Sequence, residues 1–148
     1  MALKLTLKPN ERIIVNGCAI RNADRRQVLT IESRADVVRG HDLLEPDGEA
    51  TPVRKAYFLI QTALIRADVR EKIVPIIQTQ LADLATCFGP ETMGHVFEAA
   101  NFVSMGDYYK AMRSLRPVMK REEEVFAHVA AAQPRDEVAP DELDGAEP

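Results

Sequence analysis

Aromatic residues make up only 5% of this chain, and none lies in residues 1–44. Domains that stack bases on an exposed sheet, of the RNA-recognition-motif or OB type, need such rings, so the front of the chain is not one of them. Glycine is sparse, with seven residues, and they form neither a phosphate loop nor a dinucleotide-binding triad. A serine elbow is also missing. The three histidines, His41, His95 and His128, stand at no metal-ligand spacing from one another, from cysteine or from paired acids. The two cysteines, Cys18 and Cys87, are far apart and are expected to be buried thiols in a reducing cytoplasm rather than a disulfide. No apolar run approaches the ~20 residues of a membrane-spanning helix. The first residues alternate in polarity with no apolar block before a cleavage site, so no secretory signal is read there. The expectation is a cytoplasmic protein that is not an enzyme, with no catalytic residue, cofactor, metal ion or membrane.

What is present is an ordinary globular composition. The chain has 148 residues, 46% apolar and 28% charged, enough to bury a core in one domain or two small ones. The net charge of -4 is unevenly spread. Residues 134–148 contain six acids (Asp136, Glu137, Asp141, Glu142, Asp144, Glu147) and one base, Arg135. Residues 1–44 contain eight bases and five acids. A mildly basic front and an acidic tail say more about partners than the net value does.

Residues 1–44 read as a small β domain. Leu3, Leu5 and Leu7 alternate with Lys4, Thr6 and Lys8, the period of a half-buried strand. Pro9-Asn10-Glu11 is a turn, and Arg12 to Val15 is a short apolar run. Asn16-Gly17 is a hairpin dipeptide, because both residues tolerate positive φ. Cys18 to Arg21 resumes the strand, Asn22-Ala23-Asp24 turns again, Gln27 to Glu32 alternates, and Val37-Val38 opens one more short strand. Together these form four or five strands in a meander or small barrel. Residues 45–52 hold two prolines, a glycine and three acids, and read as a linker.

From Val53 the apolar period becomes 3.6, giving a helical domain over 53–132 and an acidic, disordered tail over 133–148. Val53, Tyr57, Ile60, Leu64 and Ala67 form the first stripe, widened by Phe58, Leu59 and Ile65. Asp68 and Glu71 fit a capping box opening a second helix, unless one long bent helix runs through. Its face is Val69, Ile73, Ile76, Ile77, Leu81, Leu84 and Phe88, with Pro75 expected to kink it or delay its start. After Gly89-Pro90 come Met93, Val96, Phe97, Ala100 and Val103. Gly106 closes that helix and Asp107 opens a last one carrying Tyr108, Met112, Leu115, Met119, Phe126 and Val129, with Pro117 as a second kink. The fold class is α+β: a small antiparallel β part followed by an α-helical bundle. Glu122-Glu123-Glu124, after Lys120-Arg121, reads as a solvated face with local ion pairs. His95 reads as a partly buried packing residue and Cys87 as core.

The informative cluster is basic: Arg21, Arg25, Arg26, Arg34 and Arg39, with Lys4 and Lys8 on the first strand. Arginine presents a planar fork of donors to phosphates and to guanine edges. Flanking strands and turns, these residues suit single-stranded RNA, with contacts resting on arginine and backbone alone. The same charges also suit an ordinary solubilising sheet surface. A separate reading makes the helical part an adaptor, with Met93, Met105, Met112 and Met119 as an adaptable contact surface or, equally in keeping with their spacing, as core.

Several motifs resemble one family. Leu3-Lys4, Leu7-Lys8-Pro9-Asn10-Glu11, Val15-Asn16-Gly17, Ile20-Arg21-Asn22-Ala23-Asp24-Arg25-Arg26 and Val38-Arg39, with Asp42 and Leu44, are similar to the FlbT family of flagellar regulators. The resemblance extends more weakly through Thr51-Pro52 to about residue 130. Asn10 stands where that family commonly has glycine, and Ala23 where Asn-Gly-Asp is common. The resemblance implies post-transcriptional control of flagellin synthesis through the 5′ untranslated region of flagellin mRNA, by repressing translation or promoting decay. It also implies work alongside a second small regulator, FlaF, or alongside flagellin itself. The front also resembles CsrA in strand order and length. Val37 to Leu43 lies over the segment that carries the RNA-contacting arginine of CsrA, which falls here on Gly40 or, with a slip of one, on Arg39 or His41. So small a sheet needs the helices or a second copy to complete its core, and a homodimer is expected.

Overall fold

A computed structural model describes residues 2–46 and 48–132; the acidic segment expected to be a disordered tail lies outside the described residues. Strands β1 (Leu3–Leu7), β2 (Arg12–Val15), β3 (Cys18–Arg21), β4 (Gln27–Ile31) and β5 (Val37–Val38) come first. A single 3-10 turn follows at Gly40–Asp42, then α1 (Pro52–Ile65), α2 (Ala67–Ala85), α3 (Pro90–Ser104) and α4 (Tyr108–Ala132). The α+β class is as expected: small antiparallel sheets precede four packed helices.

Strand order departs from a meander. β1 skips its sequence neighbour and pairs with β4, from Leu3 opposite Ile31 to Leu7 opposite Gln27. β2 lies between β3 and β5. The turn dipeptide decides the β2–β3 hairpin, because Asn16 (φ 50°) and Gly17 (φ 82°) take the two left-handed positions that match strand twist. β1 does not join that hairpin: β2 already has β3 and β5 on its two edges, and the chain turns between β1 and β2 at Pro9–Asn10 (Asn10 φ 64°). Two apolar clusters result. Leu5, Leu7 and Ile13 form one between the sheets. Ile14 and Val38 face the other way and join Leu43 in the helical core, as alternation along a strand requires.

The chain leaving β5 is fastened to the helices by polar side chains. The Gln61 amide accepts from Leu44 N at 2.8 Å and donates to Leu44 O at 3.0 Å. Tyr57 donates its hydroxyl to Asp42 O, and Arg116 pairs with the Asp42 carboxylate at 3.1 Å. Burial pushes the Tyr57 phenol above its ordinary pKa, which keeps this donor protonated.

Several helical expectations change. α1 and α2 are separate helices, as the two-helix reading expects and the single long bent helix does not, broken at Arg66 (φ -116°, ψ 95°). Asp68 lies inside α2 and pairs with Arg66 at 2.7 Å instead of capping. The Arg66 guanidinium that donates to Asp68 holds the Asp68 carboxyl below its ordinary pKa. Pro75 does not delay the start of α2, and both Pro75 and Pro117 sit within continuous helices, exposed to solvent. Gly106 (φ 76°) closes α3, and Asp107 Oδ1 accepts from Lys110 N at the start of α4, as expected. Cys18 and Cys87 are both exposed free thiols, not buried ones. Cys18 lies on an edge strand with nothing over it, and Cys87 lies beyond the end of α2. Phe97, Phe126, Val129 and Ile76, read as stripe members, are about half exposed. Of the four methionines read as a contact surface, Met112 is fully buried, Met93 and Met119 pack on the core, and only Met105 is open to solvent.

The largest departure is Glu122. It is buried, at 5% exposure, rather than solvated. Helix α1 has no acid in its own first turn. Glu122 supplies one from α4, with Oε2 accepting from Val53 N at 3.1 Å and Oε1 from the Thr51 hydroxyl. Its two neighbours are exposed as expected; Glu124 makes the local pair, with Arg121 at 3.2 Å, whereas Glu123 meets Arg54 on α1 at 3.8 Å.

Candidate nucleic-acid interface

The pairing of β1 with β4 sorts the basic residues. Leu5 and Leu7 point into the core between the sheets. With a side-chain period of two, Lys4 and Thr6 therefore point outward, opposite Thr30 and Val28. The pairing ends at Leu7 and Gln27, and the next residues along it are Lys8 and Arg26. Continued one step past each end of the pairing, the outer face of this ribbon carries Lys4, Thr6, Lys8, Arg26, Val28 and Thr30 and, at its other end, the exposed Glu32, three bases and one acid. Val28 is 63% exposed there.

Asn22 explains the run Asn22-Ala23-Asp24-Arg25-Arg26. Its amide donates to Lys8 O and Arg25 O, each at 2.8 Å. The Asn10 backbone N–H in turn donates to Ala23 O at 2.8 Å. These bonds stitch the β3–β4 turn to the end of β1 and hold Arg25 and Arg26, both exposed, beside Lys8.

The other expected site residues are placed differently. Arg21 and Arg39 are not on neighbouring strands, because β2 separates β3 from β5. Both nevertheless line one cleft of about 460 Å³, with Lys8, Arg12 and His41. Arg21 donates to Asn10 O at 3.1 Å and is otherwise open. Arg39 is committed to the fold: it donates to Glu11 Oε2 at 3.1 Å and to Thr6 O at 3.0 Å, joining β5 to β1. Glu11 also accepts from Lys8 N at 2.9 Å, and that bond, reinforced by Arg39, holds its carboxyl below the ordinary pKa against the cost of burial. Arg34 lies past the other end of the ribbon, beside Ala2, Leu3 and Ile31. A five-residue strand separates it from Arg26, about 17 Å. The six residues Lys4, Arg21, Arg25, Arg26, Arg34 and Arg39 therefore do not form one patch.

The alignment with CsrA finds no free arginine. A Cβ at Gly40 would stand 2.9 Å from Arg12 O, so no side chain fits there. Arg39 is held by Glu11, and His41 is exposed beside Asp42 at 3.5 Å. Lys8 completes the ribbon face, and the signal for it was the alternation of β1 continued across the turn. Among the described residues no cluster of histidine, cysteine and acids has metal-binding geometry, and no helix is long and apolar enough to cross a membrane.

Comparison with known proteins matches these features to one family. The family described as flagellar protein FlbT matches residues 3–126. A flagellum biosynthesis repressor protein FlbT from Caulobacter vibrioides is 32% identical over 132 residues, covering 88% of this chain and 94% of the relative. A probable repressor of the same name from Rhodopseudomonas palustris is 30% identical over 130 residues, covering 86% and 99%. One from Bradyrhizobium diazoefficiens is 30% identical over 144 residues, covering 97% of both. No solved structure matches. With the family match running from β1 into α4 and relatives aligned nearly end to end, the chain belongs to the FlbT family of flagellar proteins.

Proposed function

We propose that this protein is a regulator, not an enzyme, that represses flagellum biosynthesis by binding the 5′ untranslated region of flagellin mRNA and controlling its translation or decay. The observation that carries the reading is the basic face of the β1–β4 ribbon, where Lys4, Lys8 and Arg26 outnumber the single acid Glu32 at the far end, with Arg25 and Arg26 held at the near end by Asn22. Lys8 joins that face to the cleft holding Arg21, where Glu11 is taken up by Arg39 and Glu45 by Arg12, which leaves Lys8 and Arg21 as the cations there for phosphate. Arginine and lysine at this density supply sequence-independent affinity that falls with salt. Related proteins named as flagellum biosynthesis repressors support the regulatory role. The protein works in the cytoplasm, where the message is. The outer edges of β3 and β4 carry no partner strand among the described residues, which favours a second copy as one partner; FlaF or flagellin would be others.

The test is a titration of purified protein against flagellin leader RNA. Reversing both charges with Arg25→Glu and Arg26→Glu is expected to weaken binding roughly tenfold or more. The log–log salt slope should flatten by about 0.7 for each phosphate that is no longer neutralised. A folded double variant that binds as the parent does would remove the ribbon end from the RNA site. An adaptor role, with a partner carrying the RNA contact, would then lead.

A further inference from the structure

The front of the chain has no aromatic ring, yet the fold brings one to its edge. The β2–β3 turn docks against the end of α1 so closely that a Cβ on Gly17 would stand 2.9 Å from Leu64 O. This leaves a cleft of about 420 Å³ between the turn and the start of α4, lined by Asp36, Asp107 and Tyr109 among others. That volume falls in the range of small-ligand sites. Asp36 is fixed by two backbone bonds: its N–H donates to Asn16 Oδ1, and its carbonyl accepts from Asn16 N, both at 2.9 Å. Among the described residues its carboxylate has no partner. The Arg113 guanidinium lies 5.9 Å from the Tyr109 ring centroid, outside the residues that line the cleft. Arg34, stranded from the ribbon patch, is two residues from Asp36, no more than about 7 Å along the chain.

We propose that this cleft holds one base of a single-stranded RNA. The base stacks on Tyr109, its exocyclic amine donates to the Asp36 carboxylate, and Arg113 and Arg34 hold the flanking phosphates. The inference rests on the reading that the protein binds RNA, and it adds a second contact remote from Arg25 and Arg26. The chemistry follows from the side chains: an aromatic face stacks any base, a carboxylate accepts from an amine, and a guanidinium binds phosphate. Uracil has no exocyclic amine, so the cleft prefers cytosine, adenine or guanine to it.

The chain has no tryptophan and three tyrosines, of which Tyr57 and Tyr108 are buried. A base that quenches tyrosine emission therefore reports on Tyr109. Short oligocytidine added to the full chain should quench the emission saturably and bind several-fold tighter than oligouridine. Tyr109→Phe should abolish the signal yet keep affinity within about twofold, whereas Tyr109→Ala should lose roughly 5- to 100-fold. Asp36→Ala, far from the core, should erase the cytidine-over-uridine preference with little loss in oligouridine binding. The Arg25→Glu, Arg26→Glu variant should still show quenching once saturated. Binding with unchanged tyrosine emission, and with the base preference intact in Asp36→Ala, would overturn the stacking site and leave the ribbon contact standing. Failure of the parent chain to bind any RNA would overturn both.

Discussion

Glu122, on α4, caps the N-terminus of α1 through Val53 N, 69 positions away in the chain. A helix start carries unpaired N–H groups and partial positive charge, so a carboxylate there satisfies both. Thr51 already serves Arg54 N at 3.2 Å, and Glu122 takes Val53 N while accepting from the Thr51 hydroxyl. This bond fixes α1 against α4, and with α1 the clamps on Asp42 and Leu44 that hold the β part in place.

Glu122→Ala leaves Val53 N buried without an acceptor, which costs about 1–3 kcal/mol. Thermal unfolding should show the midpoint falling by several degrees. Glu123→Ala, which removes only a solvent-exposed ion pair at 3.8 Å, should change stability by about 0–1 kcal/mol. Equal effects from the two variants would contradict the cap.

Gly17→Ala should destabilise by about 1–3 kcal/mol. The position combines a φ of 82° with backbone 2.9 Å from the new Cβ. Denaturant titration measures it. Gly94→Ala, where the Cβ would meet nothing within 4 Å and the residue lies in α3, should be neutral or stabilising.

Glu11 makes part of the stability depend on acid pH. Its carboxyl is held below the ordinary pKa, so the unfolded chain binds its proton first. The stabilisation is present above the unfolded value of about 4.3 and is lost as pH falls through the lower folded value. Comparing unfolding of the parent and Glu11→Gln should show a gap at neutral pH that closes on acidification.

Asn22→Ala removes the bonds to Lys8 O and Arg25 O. Leader-RNA affinity should fall severalfold even though no charge is removed, with the log–log salt slope reduced less than by Arg25→Glu and Arg26→Glu. Unaltered affinity would show that Arg25 and Arg26 need no such positioning.

Deleting residues 134–148 removes a net charge of -5. RNA affinity should rise at low salt and converge with the full chain as salt increases. An affinity that does not respond at low salt would rule out competition between the acidic segment and RNA for the arginines.

The amino-acid sequence by itself determined the local elements. Asn16-Gly17 sets its hairpin because positive φ is a property of those two residues, and the change from period two to period 3.6 after Pro52 separates strands from helices. It also marked the basic residues as a class. It could not say which strands pair, and that pairing decides which cations share a face: β1 with β4 brings Lys8 to Arg26, while Arg39 is drawn inward to Glu11. Nor could a run of three glutamates show that one of them is buried, because its partner, the start of α1, is close only in the folded chain. Tyr109 meets the β2–β3 turn for the same reason. Periodicity is a short-range property and is legible along the chain, whereas the charge and hydrogen-bond partners that make a site are set by contacts between distant segments.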